Sequence, residues 1–377
     1  MTDTPLEDPA AEASDPVLAM DEALVTPLRA PVADDLAYPF AAPPAFGTSR
    51  EVAPGVRWVR MPLASSLAAV NAWAIEDGDG WAIVDTGMGT PETIETWRRS
   101  LAEALDGRPV TRVLVTHMHP DHVGAAGWLT REFGCELWMS RLEFLMCRSM
   151  FSGWTDEGGD DRWSLYRGAG WTDQRLARFR GGARTSGFGR AMQPLPNSFR
   201  RMSDGQTIRI GGRDWKVVVG AGHSPEHACL MCEELGVFIS GDQVLPEITS
   251  NVSVSPLEPL ADPLEDWLSS LARIRGIVPD NLLVLPAHKL PFYRLHNRID
   301  ALIGHHDAAL GRLKEELRRP RRAIDVFEAL FNRRITEVTM MMATGESLAH
   351  LNYLVARGEA QASRDADGVI WYSAAAS

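Results

Sequence analysis

The amino-acid sequence predicts an α/β fold in which two strand-rich halves form a sandwich with helices on its outside. Short apolar runs bounded by turn residues occupy residues 50–116, and residues 91–105 between them have helical spacing. A second block of such runs follows at 206–288, with a helix expected at 263–275. Alternation of strands and helices is typical of the α/β class, because each helix packs its apolar stripe against a sheet.

The first 45 residues are predicted to form a poorly ordered, acidic arm. Residues 1–40 contain nine acidic residues and one base, Arg29, and they are rich in Ala and Pro without sustained periodicity. They lack a basic start followed by an apolar run, and no stretch of the chain approaches the roughly 18–20 apolar residues that a membrane helix needs. We therefore expect a soluble, cytoplasmic protein with no membrane partner.

The four cysteines are too few for a disulfide framework in a chain of 377 residues. Cys229 and Cys232 form a C-x-x-C, but they lie in a predicted strand, where a spacing of three points their side chains to opposite faces. We expect these cysteines to pack in the interior rather than to perform metal or redox chemistry, and a reducing compartment fits them.

The remaining sequence divides into a main domain at 46–295 and a C-terminal region at 296–377. Within the main domain, residues 136–200 break the alternation with a mainly helical pattern, and they are predicted to be an insertion that caps a cleft. The C-terminal region has long helical stretches followed by a predicted hairpin with its turn at Asp365–Gly368. This order predicts a winged-helix-like module.

A cluster of metal-ligating side chains follows the predicted strand that ends at Thr116. The run H-x-H-x-D-H has three imidazoles and one carboxylate within six residues: His117, His119, Asp121 and His122. Imidazole and carboxylate suit Zn²⁺, and a turn between a strand and a helix can aim alternate side chains at two neighbouring points. Helix capping would explain Asp121 but not three histidines, so the run predicts a metal site.

Three further side chains of the same types each follow the end of an apolar strand. They are His223 in GHSPEH, Asp242 in ISGD and His288 in LPAH. Each alone would be explained as a turn or capping residue. Their shared position relative to a strand, after the H-x-H-x-D-H run, indicates that they belong to the same site.

With these elements the chain resembles the metallo-β-lactamase superfamily over about residues 50–295, including VDTG at 84–87. The resemblance implies an αββα sandwich with its metal site at the sheet edges, and it makes 46–295 the catalytic domain. Carried over residue by residue, it assigns His117, His119 and His223 to a first metal, Asp121, His122 and His288 to a second, and Asp242 to both.

Two residues near the site are expected to support ligands rather than to bind metal. Asp85 matches a family position close to the site, with turn formation as its alternative role, and His227 follows the GHSP turn. Lys289 departs from the family pattern, because many relatives have Gly after the residue equivalent to His288. This lysine would alter the loop or bring a cation near the cleft.

The resemblance implies a dinuclear zinc-dependent hydrolase in which a hydroxide bridging the two metals attacks the substrate. Asp121 would then pass a proton to the leaving group. No G-x-S-x-G elbow is present, so no serine nucleophile is expected. Iron and manganese are the alternative metals, and a mononuclear iron dioxygenase is an alternative enzyme, because its ligands would be a subset of those present.

The C-terminal region resembles the winged-helix tail of the β-lactamase-like protein 2 group, most clearly at 346–360 and less so at 323–331. Some members of that branch cleave single-stranded RNA. Residues 317–334 are locally basic, but the basic positions alternate with apolar ones, which favours packing or dimerisation over RNA binding. His305 and His306, on a predicted helix nearby, are expected to be surface residues.

Hydrolysis of a carboxylic ester, thioester or lactone is our first substrate hypothesis, because the predicted insertion is rich in large apolar side chains that suit an acyl group. These are Trp138, Phe144, Met146, Met150, Phe151, Trp154, Trp163 and Trp171. An endoribonuclease that acts on single-stranded RNA is the second hypothesis. A non-catalytic winged-helix regulator is a third, and a homodimer is an open alternative to a monomer.

Overall fold

The computed structural model describes residues 35–64, 67–151, 161–183, 192–331, 334–337 and 339–375. The predicted acidic arm lies outside the described residues as far as residue 34. Trp154 of the predicted insertion also lies outside them.

The first half of the chain forms a seven-stranded sheet whose strands follow one another in sequence order. Neighbouring strands are antiparallel from the first to the fourth and parallel from the fourth to the seventh. The strands are β1 Ser49–Ala53, β2 Val56–Pro62, β3 Ala69–Asp77, β4 Gly80–Val84, β5 Val110–Leu114, β6 Glu136–Met139 and β7 Arg200–Arg201.

A five-stranded sheet follows, with the strand order β12-β11-β10-β9-β8. Only β11 and β12 are parallel in it, and a separate antiparallel hairpin, β13 with β14, lies near the C-terminus. The strands are β8 Thr207–Ile210, β9 Arg213–Gly220, β10 His227–Cys232, β11 Val237–Gly241, β12 Leu283–Pro286, β13 Ala360–Arg364 and β14 Ile370–Ala374.

Side-chain caps mark the start of the helices that begin at Pro91 and Pro263. Thr90 and Asp262 accept backbone N–H groups of the first turn, and a proline follows each of them at the first helical position. The helices are α1 Pro91–Arg99, α2 Pro120–Val123, α3 Ala126–Phe133, α4 Arg141–Phe151, α5 Asp161–Gly168, α6 Asp173–Ala183, α7 Pro263–Ile277, α8 Leu295–Glu316, α9 Phe327–Leu330 and α10 Met340–Ala356. A π-helical turn at Ser100–Ala104 continues α1, and a 3-10 turn at Ala323–Val326 precedes α9.

The elements form four layers, as the sequence predicts. Side chains such as Trp58 of the first sheet and Trp215 of the second meet in the core between the sheets. Trp97 of α1 and Leu129 of α3 pack on the outer face of the first sheet. Trp267 of α7, together with apolar residues of α8 and α10, covers the outer face of the second sheet. The molecule is therefore an αββα sandwich.

The two cysteines of the C-x-x-C lie on opposite faces of β10, as expected. Cys229 packs in the outer core under the helices, and Cys232 packs in the core between the sheets. Both thiols are free and buried, and burial raises the pKa of Cys229 and Cys232. These thiols have the properties of packing residues rather than of nucleophiles.

The expectation that His305 and His306 lie at the surface is wrong. They are 8% and 0% exposed, because α10 covers this face of α8. His306 Nδ1 lies 3.2 Å from Nε2 of His350, on α10.

The predicted terminal hairpin is present with its turn at Asp365–Gly368, while the winged-helix assignment stays a prediction. Among the described helices, none combines the length and apolar content needed to cross a bilayer.

A leucine pair tests the packing between the two sheets. Leu230 on β10 is 1% exposed in this core, whereas Leu260 is 90% exposed. We expect Leu230→Ala to lower the free energy of unfolding by about 2–5 kcal/mol, through lost burial and the cavity left behind. Leu260→Ala should change it by less than about 0.5 kcal/mol. Urea unfolding followed by circular dichroism measures both, and equal effects would contradict the assigned core.

Candidate metal centre

All seven side chains predicted as metal ligands meet at one edge of the sandwich. His117 follows β5, Asp242 follows β11, His288 follows β12, and His223 lies in the loop between β9 and β10. Parallel neighbouring strands deliver the residues after their carboxyl ends to the same edge, which is where α/β folds place their sites. The other three, His119, Asp121 and His122, lie at the start of α2 or within it.

Three imidazoles converge in a first group. His117 Nε2 lies 2.9 Å from His119 Nδ1 and 3.2 Å from His223 Nε2, and the latter two atoms are 3.0 Å apart. The three ring nitrogens therefore surround one point. Their mutual distances fit a metal ion at that point, about 2.0–2.1 Å from each nitrogen. This group could hold a metal ion.

A second group lies beside the first, and Asp242 faces both. Asp121 Oδ2 lies 3.3 Å from His288 Nε2 and 3.4 Å from His122 Nε2. Asp242 Oδ2 is 3.4 Å from His223 Nε2 in the first group and 3.5 Å from His122 Nε2 in the second, while its Oδ1 is 3.6 Å from His288 Nε2. The carboxylate of Asp242 thus lies between two sets of ligand-type atoms.

Unsatisfied polar atoms show that these residues fit a metal centre. Asp121 Oδ1, His122 Nε2, Asp242 Oδ1 and His288 Nε2 are buried, and within the described part of the chain none of them has a hydrogen-bond partner. Buried polar atoms without partners are costly. A divalent cation is a partner that carboxylate oxygens and imidazole nitrogens can share, so it would satisfy the His122 and His288 nitrogens and the Asp242 oxygen.

The electrostatics of the groups favour a cation. Burial, with the neighbouring imidazoles, holds the pKa of His117 well below its usual value, and burial lowers the pKa of His119 to about 3. Burial would raise the pKa of Asp121 and Asp242, but the neighbouring histidine rings hold it below the usual range. Burial would lower the pKa of His122 and His288, but the neighbouring carboxylates hold it above its usual value. Neutral imidazoles and ionised carboxylates are the forms in which these side chains bind metals, so a cation would replace the protons that the carboxylates favour on His122 and His288.

Hydrogen bonds from outside the groups orient the rings. Asp85 Oδ2 accepts from His122 Nδ1 at 2.8 Å, which points His122 Nε2 at the site, and Asp85 Oδ1 accepts the Thr116 N–H at 2.8 Å. His288 Nδ1 donates to the carbonyl oxygen of Ala69 at 3.1 Å. These contacts are of the kind that fixes the tautomer of a metal-binding histidine.

His227 holds the backbone at Asp242. Its Nε2 accepts the Asp242 N–H at 3.0 Å, and its ring lies 4.8 Å from the ring of His117. A Cβ at Gly241 would lie 2.5 Å from the His227 ring, and the backbone there has a φ of +53°, so glycine is required before Asp242. Among the described residues, His227 belongs to none of the groups that could hold a metal.

The sequence reasoning missed Glu143, on α4. Its carboxylate accepts the Met118 N–H and the Glu226 N–H, each at 2.8 Å, and the side chain is fully buried. It therefore joins the loop that carries His117 and His119 to the loop after His223. No local pattern distinguishes this glutamate from those on exposed helices, so no sequence signal could have found it.

Lys289 occupies a strained backbone conformation directly after His288. Its φ is +70°, a region that favours glycine, and its Nζ lies 3.6 Å from Glu247 Oε2. Its carbonyl oxygen accepts the Asn71 Nδ2–H at 2.9 Å. The sequence predicts that Lys289 either alters the loop or brings a cation near the cleft, and its ammonium group is ion-paired with Glu247.

Comparison with known families gives two matches. Residues 66–288 match the model described as the metallo-beta-lactamase superfamily, and residues 310–375 match the model described as the metallo-beta-lactamase-like, C-terminal domain. Among curated proteins, the atrochrysone carboxyl ACP thioesterases of Aspergillus fumigatus and Cryptosporiopsis sp. are 25% and 24% identical over 62% and 70% of this chain. The matches cover only 41% and 59% of those relatives.

Solved structures extend the similarity to nearly the whole chain. A beta-lactamase domain protein from Burkholderia ambifaria is 40% identical with a TM-score of 0.83, over 91% of this chain and 99% of that one. A metallo-beta-lactamase family protein from Thermus thermophilus is 25% identical with a TM-score of 0.72, over 86% of this chain and 100% of that one. With its fold, its His/Asp groups and these matches, the chain belongs to the metallo-beta-lactamase superfamily.

Proposed function

We propose that this protein is a two-zinc hydrolase that cleaves acyl thioesters. The observation that carries the proposal is the convergence of seven ligand-type side chains on two adjacent points, with Asp242 between them. His117, His119 and His223 would hold the first ion, and Asp121, His122 and His288 the second. Imidazole with carboxylate is a donor set that suits zinc.

Two bound metal ions would lower the pKa of a water and polarise the substrate carbonyl. The chain's own residues supply the surroundings: Asp85, Ala69 and Asn251 orient the ligand rings, and His227 fixes the backbone before Asp242. Asp121 Oδ2 faces two histidines, while its Oδ1 is buried without a hydrogen-bond partner. Oδ1 is therefore the atom at which Asp121 would take up and release a proton.

Relatives and leaving-group chemistry both support a thioester. The thioesterases named above are similar over 62% and 70% of this chain, and family membership supports a hydrolase. A thiol has a pKa of about 8.5, so a thiolate can leave near neutral pH without full protonation. A single proton donor is sufficient for such a leaving group, and Asp121 is the buried carboxylate that we assign to proton transfer.

RNA cleavage is the less favoured alternative. Three arginines of the basic run are ion-paired within the protein: Arg318 with Glu315, Arg321 with Glu316 and Arg322 with Asp325. Phosphate binding draws on positive charge that is not already neutralised. The comparisons also give no support to an RNA partner or to a homodimer.

Removal of the metal should abolish hydrolysis, and substitution of one metal ligand should lower it strongly. We expect about two zinc ions per purified chain by plasma mass spectrometry, and loss of hydrolysis with a chelator that added zinc reverses. His119→Ala should lower kcat/KM by at least about 100-fold, since even loss of a ligand's hydrogen-bond partner costs about 10–100-fold. His296→Ala is the control, because His296, on α8, contacts the Val278 carbonyl and, among the described residues, belongs to none of the groups that could hold a metal. Equal effects of both variants would contradict the assignment.

Asp121→Asn tests the proton-transfer role. The amide preserves the shape of the side chain but cannot take a proton at Oδ1, so we expect kcat to fall about 100-fold or more at saturating zinc. Zinc content and kcat are measured on the same preparation. Full activity with unchanged zinc content would reject the role.

A substrate panel tests the thioester proposal. We expect kcat/KM for acyl thioesters of pantetheine to exceed that for aryl esters and lactones by about 10-fold or more, with no cleavage of single-stranded RNA. Initial rates with and without chelator provide the measurement. Chelator-sensitive RNA cleavage without thioester turnover would overturn the proposal in favour of the ribonuclease.

A further inference from the structure

The ring of His223 is held by one backbone carbonyl. Its Nδ1–H donates to the backbone carbonyl oxygen of Asn251 at 2.7 Å, which leaves Nε2 facing His117 and His119. A ligand histidine depends on such a partner for its tautomer and its orientation. Asn251 lies between β11 and α7, in a segment without regular secondary structure, so other residues must set its position.

The side chain of Asn251 is in turn held from the C-terminal region. Its Nδ2–H donates to Glu346 Oε2 at 3.1 Å, and its Oδ1 accepts the Ser253 Oγ–H at 2.5 Å. Glu346 is fully buried on α10, and Asn251 is 6% exposed. A hydrogen bond between two buried polar groups is costly to leave unmade, so it restrains Asn251.

A glycine lets α10 approach this segment closely. The carbonyl oxygen of Gly345 accepts the Val254 N–H at 3.0 Å. A Cβ at Gly345 would lie 2.8 Å from the Cβ of Ser253, which real side chains do not reach. Glycine inside a helix costs about 1 kcal/mol relative to alanine, and here it permits the contact between helix and segment.

We propose that Glu346 is a positioning residue for the metal centre, acting on His223 through Asn251. This inference rests on the proposed metal centre. It gives α10 a second role besides packing: the helix restrains the segment whose carbonyl orients a ligand of the first ion. Glu346 itself lies two hydrogen bonds from the imidazole.

Three variants separate positioning from folding. Glu346→Ala removes the acceptor for Asn251, Glu346→Gln retains an oxygen that can accept the same hydrogen bond, and Leu348→Ala removes packing on the same helix. Leu348 is 2% exposed and belongs to the outer core, so it is a matched control for lost stability. Zinc affinity is measured by chelator competition, and thermal unfolding is measured on the metal-free proteins.

We expect Glu346→Ala to weaken zinc binding by about 10–100-fold and to shift the visible spectrum of the cobalt-loaded protein, which reports ligand geometry. Glu346→Gln should stay near the wild type in both. Leu348→Ala should unfold at a lower temperature but bind zinc as the wild type does.

The inference is overturned if Glu346→Ala binds zinc with wild-type affinity, if Leu348→Ala loses the same affinity, or if the glutamine variant is as weak as the alanine variant. In each of these cases a wild-type protein that binds two zinc ions leaves the proposed function standing. Absence of zinc binding by the wild type would instead overturn the metal centre, and this inference with it.

Discussion

Compensation of buried charge is the constraint on which this structure depends. Asp121 and Asp242 are only 1% and 5% exposed, and each lies within 3.6 Å of histidine nitrogens. Ionised groups held away from water require partners, because desolvation costs far more than ordinary packing returns. The strand ends concentrate these groups at one edge, and hydrogen bonds from Asp85, Asn251 and the Ala69 carbonyl leave their ligand atoms facing inward. These groups could hold a metal ion, and a cation is a partner that such an arrangement favours.

The sequence predicted the features that leave a local trace. Apolar runs bounded by turns predicted the two sheets, and the H-x-H-x-D-H run with His223, Asp242 and His288 predicted the residues that the structure brings together. Glu143 and the buried position of His306 could not be predicted, because both result from contacts with segments distant in sequence. Glu143 supports the site by accepting the N–H of Glu226, which lies far along the chain. His306 is buried by α10, whose contacting residue His350 lies about forty residues after it in the sequence.

The two matched family models divide the chain near residues 288 and 310, but packing crosses that division. The outer core of the second sheet is continuous from α7 through α8 to α10, and Trp171 Nε1–H donates to Thr344 Oγ1 at 3.0 Å. A helix that shares a core with the sheet cannot move independently of it. The C-terminal helices therefore belong to the structural support of the site's edge, whatever they also bind.

Anomalous X-ray scattering at the zinc edge, from crystals of zinc-loaded protein, tests the two-metal claim most directly. The account predicts two peaks about 3.5–4 Å apart, one bounded by His117, His119 and His223 and the other by Asp121, His122 and His288, with Asp242 between them. A single peak, or none among these seven side chains, would contradict it.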